Sequence, residues 1–159
     1  MANYATNNTL AGTQQAIAAT YKTLTSVYNS ATVRRIKIYD LLVGTNGTPA
    51  DNYIEWDVSR MTVAGTGSAA TSLALDPADA AAASSSQVNC TAEPTVTAGS
   101  DVFYVGVNQR ASYRWVAAPG SEIVWPAVSS GSAYGAVALR CRSQGYTSTV
   151  TGNLLFQEQ

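Results

Sequence analysis

Beyond Thr20, apolar and polar residues alternate with a period of two through most of the chain, the mark of half-buried β-strands. The cleanest stretch is 52–63, where Ile54, Trp56 and Val58 are expected to face a core and Glu55, Asp57 and Ser59 a solvated side. In a second stretch, 32–43, Ile36, Ile38 and Leu42 share one face with Arg34 and Asp40. Val33, Arg35, Lys37, Tyr39, Leu41 and Val43 lie opposite. Residues 44–51 between them form a turn-rich loop in which Asn46-Gly47 favours positive φ.

Further strands are expected at 71–75, 87–92, 101–107, 111–117, 122–125, 132–142 and 148–157. All five prolines fall between or at the ends of these runs, as a residue without a ladder donor must. Short strands, frequent turn signals and no long helical pattern predict an all-β fold, a jelly-roll-like β-sandwich. Its expected core is Ile36, Ile38, Ile54, Trp56, Val58, Phe103, Val105, Val107, Tyr113, Trp115, Val137, Leu139 and Leu154.

The first 19 residues break the pattern. Leu10, Ile17, Tyr21 and Leu24 fall near helical spacing, but Gly12 and many threonines oppose a helix. The expectation is an extended N-terminal arm over 1–19 with one helical turn at 13–19, followed by a single sandwich domain over 20–159. Deleting residues 2–18 is then expected to leave the sandwich folded while weakening assembly.

Composition narrows the function classes. Charged residues make up 12% of the chain, against about 25% in a typical soluble domain, and the net charge is −1. Such a surface is poor at attracting nucleic acid and favours association with protein. No apolar run approaches the roughly 20 residues needed to cross a bilayer, so no membrane partner is expected. The N-terminus lacks the charged start and apolar stretch of a secretory signal, which predicts assembly in a cytosol. The sequons at Asn7, Asn46 and Asn89 are then chance, and Cys90 and Cys141 are expected as buried, unbridged thiols.

Little chemistry is on offer. Histidine is absent, which removes Ser/His/Asp and Cys/His catalysis. Glu55 and Asp57, two apart on one strand face, are the best-placed carboxylate pair for a hydrolase, and a solvated strand face is the simpler reading. Asp76-Pro-Ala-Asp79 lacks the acidic density of a calcium loop, and no cofactor or metal is expected. Arg110, Arg114, Trp115 and Trp125 gather around the turn at 117–120, where arginine beside tryptophan could bind a sugar or a base. Core anchors with arginine stems packed over them are the commoner arrangement. Arg140 and Arg142 flank Cys141 and face away from it, toward solvent or an interface.

Several blocks carry a resemblance. Ile38-Tyr-Asp, the loop Gly44-Thr-Asn-Gly-Thr-Pro-Ala-Asp-Asn, Glu55-Trp-Asp-Val-Ser-Arg-Met-Thr, Leu75-Asp-Pro-Ala-Asp and Asn108-Gln-Arg-Ala-Ser-Tyr-Arg-Trp-Val-Ala-Ala-Pro-Gly resemble a family of small virion proteins of tailed bacteriophages. So do Asn7-Asn-Thr-Leu-Ala-Gly-Thr-Gln-Gln and Thr20-Tyr-Lys-Thr. The resemblance implies a jelly-roll capsid decoration, or cement, protein on the capsid exterior. It implies a homotrimer that bridges capsomers of the major capsid protein and has no catalytic residues. Tyr4, Leu10 and Ile17 of the arm, with Arg110 and Arg114, are the candidate assembly interface. A head-fibre or tail-associated module binding a host glycan is the alternative, and exposed Tyr or Trp beside acidic residues would be its sign.

Overall fold

The computed structural model describes residues 1–29, 32–128 and 136–159. Among them are twelve strands and no helix, arranged as the expected all-β sandwich of two antiparallel sheets. The first sheet contains β1 (Asn3–Asn7), β3 (Ile36–Thr45), β6 (Leu73–Ala74), β9 (Tyr113–Val116), β10 (Ile123–Trp125) and β12 (Val150–Glu158). Its order is β10-β3-β12-β1-β6, and β9 pairs with the same edge of β3 as β10, further along the strand. The second sheet contains β2 (Lys22–Tyr28), β4 (Tyr53–Val63), β5 (Thr66–Ala70), β7 (Ser85–Ala92), β8 (Thr95–Asn108) and β11 (Ala136–Arg142), in the order β5-β7-β2-β11-β4-β8. Residues 132–135 of the expected strand 132–142 lie outside the described residues.

The inner faces make one core. Of the expected core residues, Ile36, Ile38, Ile54, Trp56, Val58, Val137, Leu139 and Leu154 are buried. Phe103, Val105, Val107, Tyr113 and Trp115 are half-buried against the same cluster, because β8 and β9 stand at sheet edges. The sheets approach closely at Gly152 on β12. A Cβ there would come within 2.7 Å of Leu139 Cδ2 and 3.0 Å of Leu24 Cδ1, both from the facing sheet. The expected turn at 44–51 uses Gly47 at φ 98°, a left-handed conformation suited to glycine.

One facing assignment on β3 needs correction. Leu42 is exposed, whereas Leu41 and Val43 are buried beside Ile36 and Ile38. The cause is a β-bulge: Phe156 pairs with Ile38 and Leu155 with Asp40, so Tyr39 is an extra residue on β3 and the alternation changes phase there. A pure period of two cannot register such an insertion.

The arm is the second correction. Asn3–Asn7 is a strand inside the first sheet, hydrogen-bonded to β12 on one side and β6 on the other. Tyr4 is buried, its ring 5.7 Å from that of Phe156 and its hydroxyl donating to Ala80 O at 3.0 Å. Residues 13–19 form no helical turn: Ala16 bridges Thr149 and the Ile17 amide donates to Ser148 O at 3.2 Å. Asn89, at φ 52°, ties down the intervening loop through Nδ2 bonds of 2.9 Å to both Asn8 O and Ala11 O. The first 19 residues therefore belong to the sandwich, and the boundary at residue 20 does not separate an arm from a domain.

Candidate functional site

Both sheets turn an outer face away from the core, and each face carries a distinct chemistry. On the second sheet, β4 presents Tyr53, Glu55, Asp57 and Ser59 outward, and its neighbours supply the partners. β11 pairs Arg140 with Asp57 and Arg142 with Glu55 directly across the strands, while β8 places Tyr104 opposite Asp57 and Asp101 opposite Ser59. Directly paired residues share a face, so these side chains meet.

Arg140 forks onto Asp57, with Nε to Oδ1 at 2.9 Å and Nη2 to Oδ2 at 2.8 Å. It also donates to Ser59 Oγ at 2.9 Å, and Asp101 Oδ1 lies 2.5 Å from that hydroxyl. Asp57 is fully buried, so the solvated face expected at Glu55, Asp57 and Ser59 is in part a closed polar network. Burial pushes the Asp57 carboxyl above its ordinary value, against the pull of Arg140. Arg142 donates through Nε to Glu55 Oε2. The Arg142 bond holds Glu55 below its ordinary value. Both guanidiniums stack on the Tyr21 ring, at 4.5 Å for Arg140 and 4.7 Å for Arg142, and burial pushes the Tyr21 hydroxyl up to about 12. Carboxylates clamped this way by arginine are poorly placed to act as general bases, since their lone pairs and charge are engaged.

On the first sheet, five strands place Val116, Asp40, Leu155, Ala5 and Leu73 in one transverse row on the outer face. The next row holds Arg114, Leu42, Asn153 and Asn7. Val116 is 57% exposed, Leu73 54% and Leu42 40%, so this face offers apolar side chains to solvent. Its buried charge is matched within the chain: Arg114 grips Asp40 through Nε at 3.1 Å and 3.2 Å and through Nη2 at 2.6 Å.

The candidate interface residues do not come together. Tyr4 and Ile17 are core residues and offer no side chain to another molecule, a correction that follows from the arm being a built-in part of the sandwich. Leu10 is half-buried in the loop after β1. Arg110 is exposed and pairs with Asp51 at 3.1 Å. Arg114 does reach the outer face of the first sheet, but Trp115 beside it points to the core and Trp125 is fully buried, so no arginine–tryptophan site forms. Leu42, Val116 and Leu73 on one face, and Tyr53 and Tyr104 on the other, were not singled out from the sequence. Their shared signal is a large apolar or aromatic residue on the polar side of a strand. It becomes legible only once strand neighbours are known.

Among the described residues no group of three or more Cys, Asp or Glu side chains could hold a metal ion. Asp76 Oδ1 accepts the Ala78 amide at 2.9 Å within a local turn. Cys90 and Cys141 are free thiols, both buried. No described helix is long and apolar enough to cross a membrane. Comparison of the chain with protein-family models, with curated proteins and with solved structures finds no match.

Proposed function

We propose that this chain is a structural virion protein that decorates and cements the capsid of a tailed bacteriophage. On this reading it sits on the capsid exterior, bridges neighbouring capsomers of the major capsid protein and acts as a homotrimer. The sandwich is then of the jelly-roll type. The observation that carries the reading is the outer face of the first sheet, where Val116, Leu155, Ala5, Leu73 and Leu42 form an apolar surface across five strands. Exposed Val116, Leu73 and Leu42 with half-buried Leu155 and Ala5 on one sheet face, interrupted by the Asp40–Arg114 pair and Asn153, are the kind of apolar surface that protein–protein contacts use. Because Asp40 is already neutralised by Arg114, docking there strips no unpaired carboxylate of its water.

The sparse charge and the block resemblance to phage virion proteins support the same reading. Several weak contacts made by one trimer add through high effective concentration, so cementing needs no strong single contact. Host-cytoplasmic assembly, without a cofactor, completes the proposal.

Co-sedimentation with purified expanded capsids tests it, using the full chain and the variants Leu42→Lys and Val116→Glu. The full chain is expected to pellet with capsids, and each variant to bind about tenfold more weakly while melting normally. Failure of the full chain to bind any tailed-phage capsid, or equal binding by both variants, overturns the reading. Sedimentation equilibrium should give a trimer. A strict monomer, with isolated single copies on the capsid, removes the trimer.

A further inference from the structure

We propose that the free edge of β8 pairs with β8 of a second copy of this chain, antiparallel about a two-fold axis at Val105, so that two second sheets join into one. β8 ends the second sheet, and among the described residues no strand lies along its outer edge. The Gln109 amide donates to Asn52 O at 2.8 Å, which fixes the phase of the ladder: Phe103, Val105 and Val107 turn their amides and carbonyls to β4. Tyr104 and Gly106 turn theirs outward. An uncovered edge of this kind is a template for another strand.

This edge is also where the core is least covered. Phe103, Val105 and Val107 on β8, with Tyr113 and Trp115 on β9, pack against the central cluster yet stay half-buried. The Phe103 ring lies 6.1 Å from that of Tyr113 and 5.7 Å from that of Trp115, so an aromatic cluster stands at the mouth between the sheets. A strand added to β8 extends the second sheet over that mouth.

The sequence of the edge selects a second copy as that strand. Residues 102–108 hold no charged side chain, so self-pairing brings no like charges together. With the axis at Val105, the inward residues meet apolar partners: Val105 faces the partner's Val105, and Phe103 faces the partner's Val107. On the outer side, Tyr104 faces the partner's Gly106, and each such pair exchanges both of its outward N–H···O bonds. Tyr104 is 56% exposed, while a Cβ built on Gly106 would meet nothing within 4 Å. A projecting ring on each copy therefore meets open space on the other, and an aromatic laid over a strand glycine compensates for the side chain that glycine lacks. This contact uses neither the outer face of the first sheet nor the capsid, so it stands apart from the reading given above. On a trimer it links neighbouring trimers.

Cysteine cross-linking of the full chain tests the contact, because the axis dictates which positions meet. Across it the two Val105 Cα atoms lie about 4.5 Å apart, whereas the two Tyr104 residues are diagonal neighbours roughly 7–8 Å apart, beyond the reach of a disulfide. On mild oxidation Val105→Cys is expected to form a disulfide-linked dimer at least about tenfold faster than Tyr104→Cys. Cys90 and Cys141 are buried and supply no background. Gly106→Pro removes an outward N–H that β4 does not use, so Val105→Cys/Gly106→Pro should fold and lose the cross-link. The proposal is overturned if Val105→Cys stays monomeric in non-reducing gels, if Tyr104→Cys cross-links equally well, or if the folded double variant cross-links unchanged. Cross-linking of Val105→Cys only to another protein, once capsids are added, assigns the edge to a different strand and overturns it too. Should the proline variant not fold, the contrast between the two single cysteines decides alone.

Discussion

Asn8 and Gly152 hold each other across nearly the whole length of the chain: the Gly152 amide donates to Asn8 Oδ1 at 3.0 Å and the Asn8 amide donates to Gly152 O at 3.3 Å. Asn8 Nδ2 adds a bond to Val150 O at 2.8 Å, and all of Asn8 is buried. The N-terminal segment is thus fastened to the last strand by side chain as well as by backbone.

Deletion of residues 2–18 should therefore unfold the sandwich. It removes β1, which separates β12 from β6, together with the buried Tyr4 and Ile17. Even Asn8→Ala should cost about 2 kcal/mol, because it orphans the Gly152 amide in a buried site. Chemical denaturation with circular dichroism detection reads both. A truncated chain that melts like the full one would show the strand to be dispensable.

The Asp57–Arg140 pair should behave as a buried ion pair does. Asp57→Leu alone is expected to cost about 3 kcal/mol, since it leaves a guanidinium that is only 14% exposed with the longer 3.4 Å contact to Asp101 in place of the two-bond fork. The double variant Asp57→Leu/Arg140→Leu should be less damaging than the sum of the two singles by 1 kcal/mol or more, on the order seen for coupled pairs. Additive losses would mean that the fork contributes no coupling.

Acid titration separates the two carboxylates of β4. Glu55 sits below its ordinary 4.5, held there first by the hydrogen bond from Arg142. Its contribution is present in full above that value and is lost as the pH falls through the lowered one. Asp57 has the opposite sign: burial raises it above 3.8, so its protonation favours the folded chain and its stabilising effect fades as the pH rises through the raised value. On acidification below about 4.5 the stability gap between the natural chain and Glu55→Gln should narrow. The natural chain should gain on Asp57→Asn as the pH falls through the raised value toward 3.8. Gaps that stay constant with pH would contradict both assignments.

The thiols should be silent until the chain opens. Burial pushes Cys90 up to about 11 and Cys141 further still, so almost no thiolate exists at neutral pH. A disulfide reagent should label neither cysteine in the native protein and both in denaturant without reductant. Rapid native labelling would place a thiol nearer the surface than the fold allows.

The sequence made the sandwich legible wherever strands alternate without interruption: Ile54, Trp56 and Val58 read inward and are buried. It failed where the period carries a defect or too few apolar marks. Tyr39 inserts one residue into β3, which sends Leu42 outward and Leu41 inward. β1 places Tyr4 and Thr6 inward, and a single large apolar residue in five left no pattern to find. The polar networks were hidden for a different reason. Arg140 and Asp57 are remote in sequence and meet only because β11 lies beside β4, a neighbour relation that local periodicity does not encode.

The pairing of β1 with β12, from Asn3 opposite Gln157 to Asn7 opposite Asn153, also governs when the molecule can finish folding. β1 cannot complete its pairing until β12 has been made, and contacts of such long sequence separation close slowly. During synthesis the first sheet stays split, with the apolar inner edge of β3 and the groups that will bind β1 unsatisfied. Native surface on that sheet becomes available only once β12 has emerged and paired. Any partner that reads the row from Val116 to Leu73 must therefore recognise chains in which β12 has docked, because Leu155 and Ala5 stand in the middle of it.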